Sequence, residues 1–403
     1  MKKQTANQQF SYLIKWLLIC ICIGVAAGTA SAIFLISLDW VTRYREQHQW
    51  IMVFLPAAGL LIGLLYHYRG SALEKGNHLL LEEIHEPHKT LPFIMAPFIY
   101  LSTVVTHLFG GSVGREGTAI QMGGSIADQF AHVFRFEKED RKLILITGIA
   151  AGFAAVFGTP WAGIVFGWEV VHIGRIRNKA ILPAVLASFI ADVTCKQWGV
   201  VHTAYSISFV PEITLTPILL SIFAGCCFGC VSRLFIWVSH QLTTIFKKRI
   251  TYPPLRPLIG GILLVIIFMS IGTTRYMGLG IPVILDSFHE PQPVYDFAFK
   301  MMLTALTLSS GFKGGEVTPL FFIGATLGNA LALFIPLPIG LLAGMGFTAV
   351  FAGAANAPLA CIIMSVELFG VAPGGYIAIA CLFASFVSGK GIYHVRKNDR
   401  RVL

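Results

Sequence analysis

Long apolar segments recur along the chain and set the strongest constraint on its fold, because they leave few residues for a surface that faces water. A helix needs about 20 apolar residues to cross the hydrocarbon core of a bilayer. Several segments reach that length, whereas others are shorter and interrupted by Gly and Pro, which predicts broken or re-entrant helices. The segments are residues 12–37, 51–67, 92–109, 143–174, 181–199, 216–246, 257–271, 299–309, 319–355 and 358–388. With 55% hydrophobic and 12% charged residues, the sequence predicts an all-α membrane protein with a single transmembrane domain over residues 1–403.

The net charge of +10 indicates membrane topology and no nucleic-acid partner, because the basic residues cluster in loops and at both ends of the chain. The segments MKKQ at the start and HVRKNDRR near the end place both termini in the cytosol of a multi-pass protein of the cell membrane. An even number of crossings follows. The first apolar segment is long and lacks a clear small-residue cleavage site, which favours an uncleaved helix over a signal peptide.

The cysteines and histidines indicate no disulfide framework, metal site or cofactor. Almost all of the eight cysteines lie inside apolar segments, and the lone CxxC of Cys227 and Cys230 has no second pair nearby, so packing is the favoured role. His85 and His289 belong to two HEP segments near predicted helix ends, and HEPH lacks the HExxH spacing of zinc-binding helices. We therefore expect both histidines at a surface or an interface.

An internal repeat is the most informative pattern in the chain. Three blocks of the first half recur in the same order in the second half, with matching Gly, Glu, Thr and Pro positions. The pairs are residues 76–87 with 280–291, 111–118 with 311–318, and 152–157 with 346–351. Ordered recurrence of this kind predicts a duplicated unit, with repeat one at about 51–200 and repeat two at about 257–395.

Loop charges predict that the two repeats have opposite orientations. The third block of repeat one is flanked by basic segments at Arg135–Lys142 and Arg175–Lys179, whereas the matching loops at 335–340 and 370–375 carry no charge. Basic loops favour the cytosolic side, so the matching loops fall on opposite sides of the membrane. Inverted repeats place substrate sites near the bilayer midplane, at discontinuous helices. The third block itself is expected to enter and leave on one side, as a hairpin of two short helices.

The repeated glycine segments predict an anion site. Residues 110–117 (GGSVGREG) and 309–319 (SSGFKGGEVTP) each place glycines just ahead of an apolar helix, which leaves free N–H groups at the positive end of a helix dipole. With the helix starts before Asn77 and at Gly278–Pro282, four such ends are expected to converge on one site. Close helix packing is the alternative role for these glycines. Their duplication in register with a carboxylate favours the anion site.

Those carboxylates are Glu116 and Glu316, which lie within the glycine segments and not in a polar loop. A carboxylate at membrane depth is costly and indicates function. A bound anion beside it disfavours the ionised form, so anion and proton occupancy become coupled. Arg115 and Lys313 offer the alternative of simple ion pairs.

Thr318 and Asn77 add neutral donors at two of these helix starts. Hard hydroxyl and amide donors suit a small, strongly hydrated anion such as fluoride. The alternative roles are structural, because a hydroxyl also caps helices and an Asn also closes turns.

The segments at 114–118 (GREGT) and 314–319 (GGEVTP), the GFAAVF block and the late Tyr393 together resemble the CLC superfamily of chloride channels and anion/proton antiporters, over roughly residues 60–395. Most members carry GSGIP, GREGP and GxFxP at the three anion-binding helix starts. This chain instead has GNH at 76–78, GREGT and GGEVTP. These departures resemble the fluoride/proton antiporter branch of the superfamily, CLC-F.

The resemblance implies a role for each matched residue. Glu116 corresponds to the gating glutamate, which blocks the pathway when ionised and carries a proton when neutral, and Glu316 is expected to couple proton movement. The implied anion-binding residues are Asn77, Gly114, Glu316, Val317, Thr318 and Tyr393. Val170, preceded by Glu169, falls where chloride/proton exchangers carry an internal proton-transfer glutamate, which leaves Glu316 as the candidate for that task. The family also implies a homodimer with one pathway per subunit, and the chain lacks the length for cytosolic regulatory domains.

The sequence therefore predicts a secondary active transporter, not an enzyme, that exports fluoride in exchange for protons. Its expected partners are these two ions, the lipid bilayer and a second copy of the chain. A chloride-selective CLC exchanger or anion channel is the alternative, but it predicts serine at position 77 and a hydrophobic residue at position 316. An intramembrane enzyme needs a nucleophile with a base, and Ser309 and Ser310 lack an evident His partner.

Overall fold

The computed structural model describes residues 6–171 and 181–393, and within these ranges the chain forms sixteen α-helices and two short 3-10 helices. Helices α1 to α8 are Ala6–Gln47, Leu55–Arg69, Asn77–His85, Met95–Leu108, Glu116–Val133, Lys138–Phe157, Pro160–Glu169 and Ile181–Gln197. Helices α9 to α16 are Leu215–Arg249, Leu255–Ile271, Ile281–Asp286, Asp296–Ser309, Val317–Leu331, Ile339–Ala355, Pro358–Phe369 and Gly374–Ser388. The 3-10 helices are Gln49–Phe54 and Ser71–Leu73. The prediction of an all-α protein is confirmed, since the described ranges contain only one isolated β-bridge besides these helices.

Three helical stretches of the described residues are long and apolar enough to cross a membrane. They are Ile14–Gln47, Gln49–Arg69 and Leu215–Arg249. Several other apolar helices have only 10–17 residues, fewer than the roughly 20 that a spanning helix needs. These are the broken helices that the short apolar segments predict. The basic segment Arg175–Lys179 and the basic residues of both chain ends lie outside the described residues.

The helix series of the first half recurs in the second half. Helix α1 packs on α8 as α9 packs on α16, and α5 packs on α6 as α13 packs on α14. Two pairs of equivalent helices also contact each other across the halves, α2 with α10 and α7 with α15. Helices α1 and α9 take part in this correspondence although they lie outside the repeat boundaries proposed from the sequence.

The third repeated block forms two consecutive helices in each half. Helix α6 ends at Gly158, whose backbone is left-handed with φ 73°, and α7 begins two residues later with Pro160 in its first turn. Helix α14 ends in the same way ahead of Pro358. The prediction of two short helices is wrong for α6, which has 20 residues, whereas α14 has 17 and falls within the shorter helices. Helix α6 starts ahead of the apolar run, at Lys138, where acidic residues in the first turn favour a helix N-terminus.

Glycines bring α5 onto α6, and α13 onto α14, at backbone distance. A Cβ placed on Gly123 would overlap the carbonyl oxygen of Gly148, and one on Gly324 would overlap that of Gly346. Close contact through small residues drives helix association in membranes, where lipid is as apolar as the helix surface. These contacts fix the course of α5 and α13, the two helices that begin at the site described next.

In each half, one side chain holds the loop that follows the third helix, which is α3 in the first half and α11 in the second. The side chain comes from α5 in the first half and from the equivalent helix α13 in the second. In the first half, Asp128 of α5 accepts the N–H of Leu91 at 2.6 Å and pairs with Arg141, also at 2.6 Å. In the second half, Asn329 of α13 accepts the N–H of Gln292 at 2.8 Å. The same anchor is therefore charged in one half and neutral in the other.

Candidate anion site

Two glycine loops, one from each half, meet at the centre of the site. The N–H of Gly114 donates to the carbonyl oxygen of Gly315 at 2.5 Å, and the N–H of Gly315 donates to that of Gly114 at 2.8 Å. This antiparallel bridge places the start of α5, at Glu116, beside the start of α13, at Val317. The first N–H groups of a helix have no intrahelical acceptor and lie at the positive end of its dipole. Two such ends therefore lie side by side.

Glu116 is fully buried, at 0% exposure, and its carboxylate reaches from α5 to the first turn of α13. Oε2 accepts the backbone N–H of Thr318 at 3.1 Å, and Oε1 accepts the Thr318 hydroxyl. Oε2 also accepts the N–H of Arg115 at 3.1 Å. The carboxylate thus occupies the donors that a helix start otherwise offers to an anion.

A cavity of about 20 Å³ opens beside Glu116 and Thr318. A cavity needs about 10–15 Å³ to hold one water molecule, and fluoride is close to water in size. Arg115 and Ile281 line this cavity, so the start of α11 joins those of α5 and α13. The wall also includes three residues of the loop between α8 and α9, which are His202, Thr203 and Tyr205. The space accommodates one dehydrated particle of the size of fluoride.

Aromatic rings form the apolar part of the cavity wall. Phe321 and Phe347 stack with their ring centres 4.0 Å apart, and Phe157 packs on Phe321 at 5.5 Å. An aromatic wall excludes water and lowers the local dielectric constant, which strengthens the interaction of an ion with the nearby polar groups. Selectivity at this cavity therefore depends on few, close polar contacts.

Glu316, the residue before α13, links the bridge between the two glycine loops to the start of α3. Its Oε1 accepts the hydroxyl of Tyr393 at 2.5 Å. A Cβ placed on Gly117 would lie 3.7 Å from Oε2 of Glu316 and 3.2 Å from Nδ2 of Asn77. The Oδ1 of Asn77 is buried without a hydrogen-bond partner, although buried polar atoms in folded proteins are as a rule satisfied by protein or water. The unpaired atom is an acceptor, so it can take a hydrogen bond from a water molecule or a protonated group.

The structure brings together every residue predicted for the site. The crossing of the two loops contains Gly114, Glu116, Glu316, Val317 and Thr318, and Asn77 and Tyr393 adjoin it on the side of Glu316. The starts of α3, α5, α11 and α13 all reach this cluster, as the glycine segments predict. The roles assigned to these residues stay predictions.

The alternative of simple ion pairs applies to one carboxylate and not to the other. Nε of Arg115 lies 3.5 Å from Oε1 of Glu116, a contact without a hydrogen bond. Lys313 instead lies over the ring of Tyr66, with Nζ 4.1 Å from the ring centre. Glu316 is thus held by a phenol and not by the neighbouring lysine.

Glu169 of α7 caps the start of α15, and Glu367 of α15 caps the start of α7, so the two halves exchange caps. Glu169, the last residue of α7, accepts the N–H groups of Leu359 at 3.0 Å and Ala360 at 2.8 Å in the first turn of α15. Glu367 of α15 accepts those of Trp161 at 3.1 Å and Ala162 at 2.8 Å in the first turn of α7. Orphan backbone groups at the starts of α15 and α7 therefore bind both carboxylates.

Sequence reasoning missed Lys300 and the loop between α8 and α9. Lys300 of α12 is 0% exposed, and its signal is a lysine in a largely apolar helix, four residues after Asp296. Tyr205 and its neighbours line the cavity from a loop without regular structure, for which no periodicity or motif gives a signal.

The histidines of the HEP segments lie near helix ends. Nδ1 of His85 is 2.7 Å from the carbonyl oxygen of Leu81 at the end of α3. Across residues 6–171 and 181–393, no group of three or more His, Cys, Asp or Glu side chains is placed to hold a metal ion. The cysteines are all free thiols.

The fold and sequence match known ion-transport proteins. The profile of the voltage gated chloride channel family matches residues 58–389. A chloride/fluoride channel protein of Pseudomonas syringae pv. tomato is 51% identical over 393 residues, which are 96% of this chain and 87% of that protein. The crystal structure of a CLC-type fluoride/proton antiporter superposes with a TM-score of 0.92 and 35% identity, covering 97% of this chain and 98% of that one. A slow cyanobacterial Cl⁻/H⁺ antiporter shares the fold, with a TM-score of 0.83 at 21% identity and coverage of 94% and 96%.

Proposed function

Because the chain belongs to the voltage gated chloride channel (CLC) family, we propose that it is a secondary active transporter that exports fluoride in exchange for protons. Its likeness to a chloride/fluoride channel protein and to a fluoride/proton antiporter supports this substrate. The departures from the common CLC motifs, at Asn77, Glu316 and Thr318, lie in and beside the cluster of helix starts.

The contact between Glu116 and Thr318 carries the proposal. Both carboxylate oxygens of Glu116 bind this one residue, through its N–H and its hydroxyl. These are the donors that a dehydrated fluoride ion needs at the start of α13. An ionised Glu116 and a bound fluoride therefore exclude each other.

Exchange follows from this exclusion. When a proton binds Glu116, the side chain loses the charge that holds it against the two donors of Thr318. Fluoride then takes the N–H and the hydroxyl, while Glu116 keeps the proton. When fluoride leaves, Glu116 releases the proton and returns to Thr318. Each state holds either a carboxylate or fluoride with a proton on Glu116. Because the two ions leave toward opposite faces of the membrane, outward movement of fluoride is tied to inward movement of a proton.

Glu316 is the second proton-binding group in the proposal. Its carboxylate accepts the hydroxyl of Tyr393, and it adjoins the loop of Gly117 next to Glu116. Glu169 is a poor alternative, because both of its oxygens bind backbone N–H groups of α15. Proton movement between Glu116 and one face of the membrane is accordingly assigned to Glu316.

The same proposal includes the setting of the protein. We place it in the cell membrane with both termini in the cytosol, as a homodimer with one pathway per subunit, and with two inverted repeats. The basic segment Arg135–Lys142 beside α6 and the uncharged loop 335–340 beside α14 support the opposed orientation of the repeats.

Transport by the purified protein in liposomes tests the function. Vesicles are loaded with potassium fluoride or potassium chloride, and the efflux of halide and the uptake of protons are recorded together. We expect fluoride efflux with stoichiometric proton uptake and much slower chloride efflux. Chloride efflux faster than fluoride efflux, with proton uptake, would establish the chloride exchanger instead, and fluoride efflux without proton uptake would establish a channel.

A further inference from the structure

A second, larger cavity of about 390 Å³ adjoins the start of α11. Its wall combines the end of α1, including Arg45, with the segment from Thr273 to Asp286. Ile281 lines both this cavity and the one of about 20 Å³ beside Glu116. One side chain thus forms a shared wall between a large compartment and the candidate anion site.

Arg45 is a buried cation on this wall. It is 6% exposed, and its Nη1 donates to the carbonyl oxygen of His107 at 2.7 Å. None of the ion pairs within the described ranges includes Arg45. A buried charge is costly unless it is paired, and this one borders a cavity with room for a partner.

Lys300 adds a second buried basic side chain at the same place. Its Nζ donates to the carbonyl oxygens of Tyr276 at 3.0 Å and Gly278 at 2.6 Å. A Cβ placed on Gly278 would lie 2.8 Å from Nη1 of Arg45. Lys300, like Arg45, takes part in none of the ion pairs among the described residues. Two basic side chains therefore converge on one glycine of the loop between α10 and α11.

The other charged groups of the cavity lie closer to solvent. Arg275 is neutralised by Asp296, whose Oδ2 accepts from it at 2.7 Å. Glu46 is exposed and Asp286 is half-buried, whereas Arg45 is buried. The negative charges thus lie toward the rim and the positive charge toward the interior. The electrostatic potential in the cavity therefore becomes more favourable for an anion from the rim toward the interior.

We propose that this cavity is an antechamber that holds a hydrated halide ion, with Arg45 as its main ligand, on the route between solution and the site at Thr318. The inference rests on the proposed function and names fluoride as the halide. A water molecule needs about 10–15 Å³, so the antechamber holds an ion with its hydration shell, whereas the inner cavity holds one bare particle. Fluoride therefore loses its water in two stages, separated by Ile281.

Substitution of Arg45 tests the antechamber through the fluoride dependence of transport. In proteoliposomes at low ionic strength, we expect Arg45→Gln to raise the KM for fluoride about threefold to tenfold and to leave the rate at saturating fluoride unchanged, because it removes a nearby charge without touching Thr318. Arg43→Gln is the matched control, because Arg43 lies two residues earlier on α1, exposed and paired with Asp39. This control should keep the wild-type KM.

Substitution of Glu46 at the rim should change the KM for fluoride in the direction opposite to that of Arg45→Gln. Glu46→Gln removes a negative charge from the cavity and should lower the KM for fluoride, by about twofold because the residue is exposed. Arg45→Lys keeps the charge and should keep a KM near that of the wild type. This variant separates the charge of Arg45 from its hydrogen bond to His107.

Two results overturn the antechamber. One is an equal KM in Arg45→Gln and Arg43→Gln, together with no decrease in Glu46→Gln. The other is an Arg45→Lys variant as impaired as Arg45→Gln, which would assign Arg45 to the support of the His107 backbone. If Arg45→Gln does not fold, Glu46→Gln decides the question: a lowered KM for fluoride supports the antechamber, and an unchanged KM overturns it. Failure of the wild-type protein to move fluoride at all would refute the proposed function, which distinguishes the two outcomes.

Discussion

Glu116 and Glu316 occupy corresponding places in the two halves of the chain, yet their carboxylates have different partners. Glu116, at the start of α5, reaches into the other half and binds the N–H and hydroxyl of Thr318. Glu316, just before α13, accepts the hydroxyl of Tyr393 at 2.5 Å. The first is fully buried, and the second is half-buried.

This difference shows how one duplicated helix start acquires two roles. The carboxylate of Glu116 takes the donors of the anion site and so competes with the anion. The carboxylate of Glu316 accepts from a phenol and leaves those donors free, so it can exchange a proton without displacing the anion. A change at Glu116 should therefore affect both ions, whereas a change at Glu316 should affect mainly the proton.

Glu116→Gln removes the competing charge and the proton-binding group together. We expect proton uptake coupled to fluoride efflux to fall by at least about 100-fold, the usual loss when a proton-transfer group is removed. The measurement is simultaneous recording of fluoride and pH in proteoliposomes. Glu82→Gln is the control, since Glu82 is exposed and pairs with Lys75. Normal coupled exchange by Glu116→Gln would refute the role of this carboxylate as gate.

Glu316→Gln should spare the anion site and slow the proton. We expect coupled exchange to fall by about 10-fold to 100-fold, because a proton-transfer group is lost while Thr318 and Glu116 stay in place. The same simultaneous recording of fluoride and pH gives the ratio of protons taken up to fluoride released. A loss of fluoride movement as complete as in Glu116→Gln, or an unchanged ratio at an unchanged rate, would remove the distinction between the two carboxylates.

Thr318→Val removes the hydroxyl and keeps the backbone N–H at the start of α13. A hydrogen bond to a charged group contributes about 1.5–3 kcal/mol, so we expect the KM for fluoride to rise roughly tenfold or more. Thr318→Ser retains the hydroxyl and serves as the control. Equal KM values for the valine and serine variants would show that the hydroxyl does not bind fluoride.

Glu169 and Glu367 have equivalent partners in the two halves, in contrast to Glu116 and Glu316, and so serve as a symmetric reference pair. Each caps the helix of the other half through two N–H groups, so Glu169→Ala and Glu367→Ala should each lower the free energy of unfolding by about 0.5–2 kcal/mol, as the loss of a cap does. Thermal unfolding in detergent checks this, with Glu82→Ala as control. Clearly different losses for the two variants would show that the exchange of caps is not equivalent in the two halves.

Local signals in the sequence predict an all-α membrane protein, and the resemblance of its motifs to the CLC superfamily implies the CLC-type fold, which the family match and the structural superposition confirm. Glycines before apolar helices and carboxylates within them also predict which residues gather at the site. These signals are local because glycine permits a break and because a charge in an apolar segment is conspicuous.

The contacts between distant residues could not be predicted in the same way. The capping of α15 by Glu169 and of α7 by Glu367 depends on how the two halves pack, and sequence spacing does not record it. The contact of Tyr393 with Glu316 and the partnership of Arg45 with Lys300 at Gly278 depend likewise on tertiary structure. Tyr205 lines the inner cavity from an irregular loop, where neither periodicity nor a motif marks its position.

Equilibrium binding of fluoride to the purified protein, measured by calorimetry across a range of pH, examines directly whether Glu116 and fluoride compete for Thr318. Protonation removes the competing carboxylate, so wild-type affinity should increase as the pH falls. Glu116→Gln should bind fluoride more tightly than the wild type at neutral pH, with an affinity that no longer varies with pH. Equal affinities and equal pH dependence for the two proteins would mean that Glu116 and fluoride do not share the donors of Thr318.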